Sequence, residues 1–120
     1  MEEKKLNEKK IAISALSDNL EGEVDSRFGR CPYFLLIILK NGEISLFKAV
    51  KNTHKNMQGG TGIAVAEMIA NQNIDAVITG NIGPRALDVL NQFQISVFKF
   101  DGSIKDAIKH FIEKKLNQMR

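Results

Sequence analysis

The sequence predicts an α/β domain in which a five-stranded mixed sheet, of order 3-2-1-4-5 with strand 2 antiparallel, is flanked by helices. Asn41-Gly42 between two apolar runs is a strong signal for a tight β-hairpin. After the hairpin, helical and strand patterns alternate, which is typical of parallel crossovers. Because such crossovers are right-handed, the fourth strand is placed beside the first and the fifth outside it.

Each predicted strand has its own pattern. Residues 10–15 alternate between apolar and polar side chains, as in a half-buried strand. Residues 33–39 are almost entirely apolar, which favours a strand covered on both faces. Residues 43–50 follow the hairpin as its antiparallel partner, and shorter apolar runs predict the last two strands at 75–79 and 95–100.

Three segments carry helical periodicity. Residues 63–71 contain Glu67 as their only charge, so this helix is predicted to be largely buried. Residues 84–93 begin with Pro84, which suits the first helical position. Residues 103–116 place their apolar side chains on one face and lysines on the other. The helices therefore have enough apolar surface to cover both faces of the sheet.

Length and composition predict one cytoplasmic domain. Of the 120 residues, 1–9 are interpreted as a mobile polar leader and 10–120 as a single domain. The longest apolar run, from Phe34 to Leu39, is too short to cross a membrane, and the N-terminal residues lack the apolar stretch of a secretory signal.

The charge pattern argues against nucleic acid as a partner. The 17 basic and 14 acidic residues give a net charge of only +3. No basic stripe is interleaved with exposed aromatic side chains, as single-strand binders require. We therefore expect no nucleic-acid partner. Separately from the charge pattern, the protein is expected to be a monomer or a weak dimer.

The predicted topology brings three loops together. Strands 1, 3 and 4 end at the same edge of the sheet, where antiparallel strand 2 begins. Residues 16–32, 52–62 and 80–84 should therefore converge at that edge. The switch between strands 1 and 4 opens a crevice there, and open α/β sheets bind ligands at such switch points.

Two glycine-rich turns precede helices at this edge. Gly59-Gly60-Thr61-Gly62 leads into the first helix, and the turn from Gly80 to Pro84, with Asn81 and Gly83, leads into the second. Unpaired N–H groups and the helix dipole at such positions accept anions. Neither turn is a Walker A loop, since no Gly-Lys-Ser/Thr follows. A glycine-rich turn that merely enters a tightly packed helix is the structural alternative.

Arg27 and Arg30 add cationic donors to the same region. Guanidinium groups suit oxyanions and anionic clusters because they donate several hydrogen bonds in a plane. The alternative is that they pair with the acidic side chains between residues 18 and 25.

Cys31 and His54 are the candidate metal ligands. Positive charge near Cys31 should favour its thiolate, although a lone cysteine is also common as a small core residue. His54 lies in the second converging loop. Two ligands can hold a preformed cluster but cannot enclose a bare ion. No carboxylate cluster or nucleophile elbow is visible, so we expect a protein that is not an enzyme.

Three motifs resemble the dinitrogenase iron-molybdenum cofactor biosynthesis family, the NifX-type domain. They are Ser26-Arg-Phe-Gly-Arg-Cys-Pro-Tyr-Phe34, Gly59-Gly-Thr-Gly-Ile63 and Asp75-Ala-Val-Ile-Thr-Gly-Asn-Ile-Gly-Pro84. The resemblance covers about residues 10–116. It implies a ribonuclease H-like fold and the binding or carrying of iron-molybdenum or related metal–sulfur clusters without catalysis.

The chain departs from the family pattern at two turns. The glycines that the family places before strands 4 and 5 are Asn73 and Gln94 here. Such glycines end helices in the left-handed conformation, which Asn tolerates better than Gln.

The sequence therefore predicts a carrier or scaffold for an iron-molybdenum or other metal–sulfur cluster, exchanged with a donor or acceptor protein. The crevice would hold the cluster through the helix N-termini, Arg27, Arg30, Cys31 and His54. The alternative is a regulatory domain that binds a small oxyanion or a phosphorylated metabolite and acts on a partner protein.

Overall fold

A computed structural model describes residues 8–120. The strands are β1 (Glu8–Ala15), β2 (Tyr33–Lys40), β3 (Glu43–Lys51), β4 (Ala76–Thr79), β5 (Ser96–Lys99) and β6 (Asn117–Met119). The helices are α1 (Thr61–Ala70), α2 (Pro84–Gln92) and α3 (Ile104–Ile112). The six strands form one sheet of order β3-β2-β1-β4-β5-β6.

The predicted order of the first five strands is confirmed. β1 pairs with β2 in antiparallel and with β4 in parallel orientation, and β5 runs parallel to β4. This is the arrangement that a hairpin followed by right-handed crossovers produces. The sheet is therefore mixed: β1, β4 and β5 run parallel, β2 runs antiparallel to both of its neighbours, and β6 runs antiparallel to β5.

The prediction of only five strands is wrong, because β6 adds a sixth at the edge beside β5. The predicted third helix was too long: α3 ends at Ile112, and Lys114 adopts a positive φ of 60°. The chain then reverses, and Asn117–Met119 pairs antiparallel with β5. β6 has only three residues, and two of them, Asn117 and Gln118, are polar amides, so the sequence shows no alternation of apolar and polar side chains that would predict a strand.

β1 begins two residues earlier than predicted. Glu8 and Lys9 pair with Lys40 and Leu39 at the far end of β2, so the long hairpin partner extends the strand. The remainder of the predicted leader, residues 1–7, lies outside the described residues.

The hairpin between β2 and β3 has the backbone that its sequence predicts. Asn41 and Gly42 both have positive φ, at 53° and 78°. Two consecutive residues of this kind match the right-handed twist of the flanking strands. The turn sets the first two pairs, Lys40 with Glu43 and Leu39 with Ile44, and a bulge next to Leu39 then shifts the register for the rest of β3.

Two apolar layers hold the sheet between the helices. On one face, Phe34 and Leu36 of β2 share a buried cluster with Val65 of α1 and Leu90 of α2. On the other face, the alternate β2 side chains, beginning with Leu35 and Ile37, share a second buried cluster with α3. Each fully buried aliphatic side chain contributes about 1.5–3 kcal/mol through the hydrophobic effect. This explains why β2 is apolar at nearly every position.

Asn73 and Gln94, which replace glycines of the family pattern, both adopt the left-handed conformation, with φ of 58° and 62°. Both residues follow a helix and precede the next strand. The chain must reverse sharply there, which is the reason for the glycines in the family pattern. Among residues 8–120, no helix is long and apolar enough to cross a membrane.

Candidate functional site

The three predicted loops converge on one crevice of about 590 Å³. It is lined by three segments, residues 27–29, 60–63 and 81–86. They come from the loop after β1, the N-terminus of α1, and the turn from β4 into α2. The crevice lies where β1 and β4 run side by side and their following segments diverge, as the topology predicts.

Backbone contacts attach the first loop to the end of β4. Arg27 and Asn81 form an isolated parallel bridge, and the amide of Phe28 donates to the carbonyl of Asn81 at 3.1 Å. Gly29 packs against Gly62, since a Cβ at residue 29 would lie 3.4 Å from the Cα of residue 62. The loop therefore forms a wall of the crevice close to both helix N-termini.

The N-terminus of α1 opens into the crevice without a side-chain cap. Gly60, the N-cap residue, has φ of 67°, and the first turn contains no acidic residue. The first intrahelical bond runs from the amide of Ala64 to the carbonyl of Gly60 at 3.0 Å. The three preceding amides, of residues 61–63, have no intrahelical acceptor and so remain available to a ligand.

α2 presents the same arrangement. Gly83 is its N-cap residue, Pro84 occupies the first helical position, and again there is neither a side-chain cap nor an acidic residue in the first turn. The amides of Arg85 and Ala86 precede the first intrahelical bond, which Leu87 donates to Gly83 at 3.0 Å. Two partial positive charges thus face one crevice.

α3, whose residues do not line the crevice, is capped in the ordinary way. Ser103 accepts a hydrogen bond from the amide of Asp106 at 3.0 Å, and Asp106 adds a negative charge to the first turn. Both features satisfy and neutralise a helix N-terminus. The absence of such features at α1 and α2 is therefore specific to the helices at the crevice.

Arg27 lines the crevice and is held by a buried carboxylate. Its Nε and Nη2 donate to Oδ1 and Oδ2 of Asp25 at 3.0 and 2.8 Å. The Asp25 side chain is 2% exposed and that of Arg27 is 58% exposed. Burial would raise the pKa of Asp25, but the hydrogen bonds and charge of Arg27 outweigh it and lower that pKa. Arg27 therefore pairs with an acidic residue of the same loop, which was the alternative considered from the sequence. Its guanidinium group nevertheless stays accessible to solvent.

Arg30 lies outside the crevice. Its Nη1 donates to the carbonyls of Lys55 and Met57 at 2.7 and 2.8 Å. These bonds join the first loop to the second, so Arg30 has a structural role that its position in the sequence did not reveal. It also lines a smaller neighbouring cavity.

Most of the predicted glycine-turn residues lie at the crevice. Gly60, Thr61, Gly62, Asn81 and Gly83 line it, whereas Gly59 does not. The Thr61 hydroxyl donates to the carbonyl of Met57 at 3.2 Å.

Cys31 is a core residue. Its side chain is 0% exposed, belongs to the cluster beneath α1 and α2, and lies 3.5 Å from the carbonyl of Phe28. Burial, and after it the charge of Asp25, raise the pKa of Cys31 to about 12. The expectation that positive charge favours its thiolate is therefore wrong, because desolvation of a buried thiolate dominates.

His54 is half-buried in the second loop and is not among the residues that line the crevice. Its amide donates to Oδ1 of Asn52 at 3.0 Å, and its Nδ1 lies 3.5 Å from the hydroxyl of Thr53. Within residues 8–120, no three His, Cys, Asp or Glu side chains are grouped so as to hold a metal ion.

Arg85 is a crevice residue that the sequence reasoning missed, as are Phe28 and Ile82. Arg85 is exposed and follows Pro84 directly at the start of α2. The sequence did contain a signal for Arg85, because this basic residue directly follows a turn that is predicted to bind anions. The apolar pair carried none, because Phe and Ile in a loop normally indicate core packing.

Comparisons with known proteins agree with this fold. The model of the dinitrogenase iron-molybdenum cofactor family matches residues 9–114. An uncharacterized protein of Methanocaldococcus jannaschii is 38% identical over 114 residues, which are 94% of this chain and 95% of that protein.

Two solved structures are similar throughout. The apo form of the orange protein from Desulfovibrio gigas has a TM-score of 0.84 and 25% identity, with 92% of each chain covered. A Thermotoga protein described as NifB-like has a TM-score of 0.76 and 27% identity, again with 92% of each chain covered. The likeness thus extends over nearly all of the fold.

Proposed function

Because the chain belongs to the dinitrogenase iron-molybdenum cofactor family, which is involved in the biosynthesis or binding of that cofactor, we propose that it carries an anionic metal–sulfur cluster in the crevice. The cluster is cargo, received from a donor protein and passed to an acceptor. The protein acts as a non-catalytic carrier or scaffold.

The observation that supports this proposal most directly is the pair of uncapped helix N-termini. α1 and α2 leave amides without intrahelical acceptors at one crevice, and neither helix has an acid in its first turn. Arg85 adds positive charge to the same walls, and Arg27, whose charge is offset by Asp25, adds a guanidinium that stays accessible. Together they form a concave surface that favours a multiply charged anion.

The cargo would be held by hydrogen bonds and charge rather than by metal–ligand bonds from this chain. Cys31 is a buried thiol with a raised pKa, and His54 does not line the crevice. Amides and guanidinium groups bind the sulfur or oxygen atoms at the outside of a cluster and leave its metals free. Such a site suits a carrier, because release then requires no bond to metal to break.

The oxyanion-binding alternative has an observation of its own in its favour. The crevice offers hydrogen-bond donors and no thiolate, and such donors serve a phosphate or molybdate as well as a cluster. A regulatory domain that senses such an anion would use the same amides. The relative affinities for an oxyanion and for a thioanion therefore distinguish the two functions.

The test is an amide-resolved NMR titration with molybdate and with tetrathiomolybdate. We expect both to shift the amide signals of Thr61, Gly62, Arg85 and Ala86, with an affinity that weakens as salt rises. Tighter binding of the thioanion supports the carrier, and tighter binding of molybdate supports the oxyanion alternative. Signals at these amides that stay in place with both anions would exclude the site.

A matched pair of variants at Gly83 separates binding from folding. Gly83 has φ of −71° and ψ of 159°, and a Cβ added there has no atom within 4 Å, so side chains fit. In Gly83→Asp the new carboxylate caps α2 and repels an anion, so affinity should fall about tenfold or more while stability is retained. Gly83→Ala, which adds no charge, should bind as the wild type does.

A further inference from the structure

Arg27 borders two cavities. One is the crevice; the other, here called the cationic pocket, has a volume of about 320 Å³ and is lined by Arg27, Arg30, Pro32, Lys55 and Asn56. Since Arg27 lines both of them, the two cavities adjoin at this residue. A ligand that reaches past this side chain enters both.

The two arginines of the cationic pocket are fixed in place before any ligand arrives. Asp25 accepts hydrogen bonds from Nε, Nη2 and the backbone amide of Arg27, at 3.0, 2.8 and 2.9 Å. Arg30 is fixed by the carbonyls of Lys55 and Met57. Anchored guanidinium groups lose little conformational entropy when they bind, which favours affinity.

The cationic pocket keeps a net positive charge. Asp25 offsets the charge of Arg27, but Arg30 donates only to neutral carbonyls. Within the described part of the chain, Lys55 forms no ion pair, and none of the residues that line the pocket is acidic. Two charges therefore remain uncompensated beside the crevice.

We infer that the crevice and the cationic pocket form one elongated site for an extended polyanion. This inference rests on the proposed function. One anionic end of the ligand contacts the amides at the helix N-termini, and the other lies between Arg30 and Lys55, with Arg27 in the middle. A mononuclear anion fills only the first position, so the site selects polynuclear anions, whether metal–sulfur clusters or condensed oxyanions.

The test compares inorganic phosphate with inorganic triphosphate by calorimetry at constant ionic strength. Triphosphate should bind wild-type protein about tenfold more tightly or better, because it reaches both cavities. In Lys55→Gln the ratio of triphosphate to phosphate affinity should fall by about fivefold. Lys109→Gln, an exposed change on α3 with the same loss of charge, should leave that ratio unchanged.

Amide NMR locates the second contact. Triphosphate should shift the signals of Lys55 and Asn56 in addition to those of residues 60–63, whereas phosphate should shift only the latter. A synthetic tetranuclear iron–sulfur thiolate cluster, titrated anaerobically, tests the metal–sulfur source. Shifts at both positions with the cluster and not with triphosphate assign the site to metal–sulfur anions, and the reverse assigns it to condensed oxyanions.

Two outcomes would overturn the inference while leaving the proposed function intact. One is an equal loss of triphosphate affinity in Lys55→Gln and Lys109→Gln. The other is a set of shifts confined to the helix N-termini for every polyanion. The proposed function itself fails if no anion shifts those N-terminal amides.

Discussion

Gly80 and Ser26 pack backbone against backbone where β4 ends, so that a Cβ atom added to Gly80 would lie 2.6 Å from the Cα of Ser26. The contact holds the loop that carries Arg27 against the sheet, next to the hydrogen bond that the amide of Phe28 donates to the carbonyl of Asn81. Glycine is required here because the nearest atom is the main-chain Cα of Ser26, which cannot move aside without moving the loop. The shape of the crevice therefore depends on this missing side chain.

Gly80→Ala should lower the free energy of unfolding by about 1–3 kcal/mol, because the loop must move to admit the methyl group. The measurement is urea denaturation. Gly59→Ala is the control, since a Cβ there meets nothing within 4 Å, and its effect should stay within about 0.5 kcal/mol. Equal effects of the two changes would contradict the tight contact.

Gln94→Gly should raise the free energy of unfolding by about 1 kcal/mol. Gln94 is exposed with φ of 62°, a conformation that costs an L-residue about 1–2 kcal/mol and costs glycine little. Gln92→Gly, at the last residue of α2 and also exposed, should instead lower stability by up to about 1 kcal/mol, because φ there is helical and gives glycine no advantage. Thermal unfolding of both variants checks the opposite signs, and two changes in the same direction would count against the argument.

Cys31 should make stability fall at alkaline pH. Its pKa rises from an ordinary value of 9.0 to about 12 in the folded protein, so the folded state keeps a proton that the unfolded state loses. The contribution is complete below pH 9 and declines towards pH 12, by at most about 1.4 kcal/mol per pH unit.

The measurement for Cys31 is the stability difference between wild type and Cys31→Ala from pH 8 to 10.5. Wild type should be the more stable at pH 8, because the alanine leaves a small cavity. Its advantage should shrink as the pH rises, since only wild type carries the thiol. A constant difference would show that the thiol ionises equally in both states.

Asp25 should contribute stability that disappears in acid. The pKa of its carboxyl lies below the ordinary 3.8 in the folded protein, because the hydrogen bonds and charge of Arg27 outweigh burial. The stabilisation is present above pH 3.8 and is lost as the pH falls through the lowered value. Asp25→Asn should be less stable than wild type at pH 6, and the gap should narrow below pH 4. A gap that does not depend on pH would exclude the ion pair as its source.

The order of the first five strands and the meeting of three loops were determined by the sequence alone. Both follow from local signals, the Asn41-Gly42 turn and the alternation of strands and helices, together with the fixed hand of crossovers. The left-handed residues Asn73 and Gln94 were likewise visible, as positions where the family pattern has glycine. The anion-binding role of the helix N-termini remains a prediction.

Only the tertiary structure decided what each side chain contacts. Cys31 and Arg30 are adjacent in sequence, yet one is enclosed in the core while the other binds carbonyls of a distant loop. A loop has no fixed periodicity that would assign its side chains to a face, so their environments depend on segments far away in sequence. For the same reason the sequence did not reveal β6, which pairs with the edge of β5, or the raised pKa of Cys31, which results from burial of its thiol in the core.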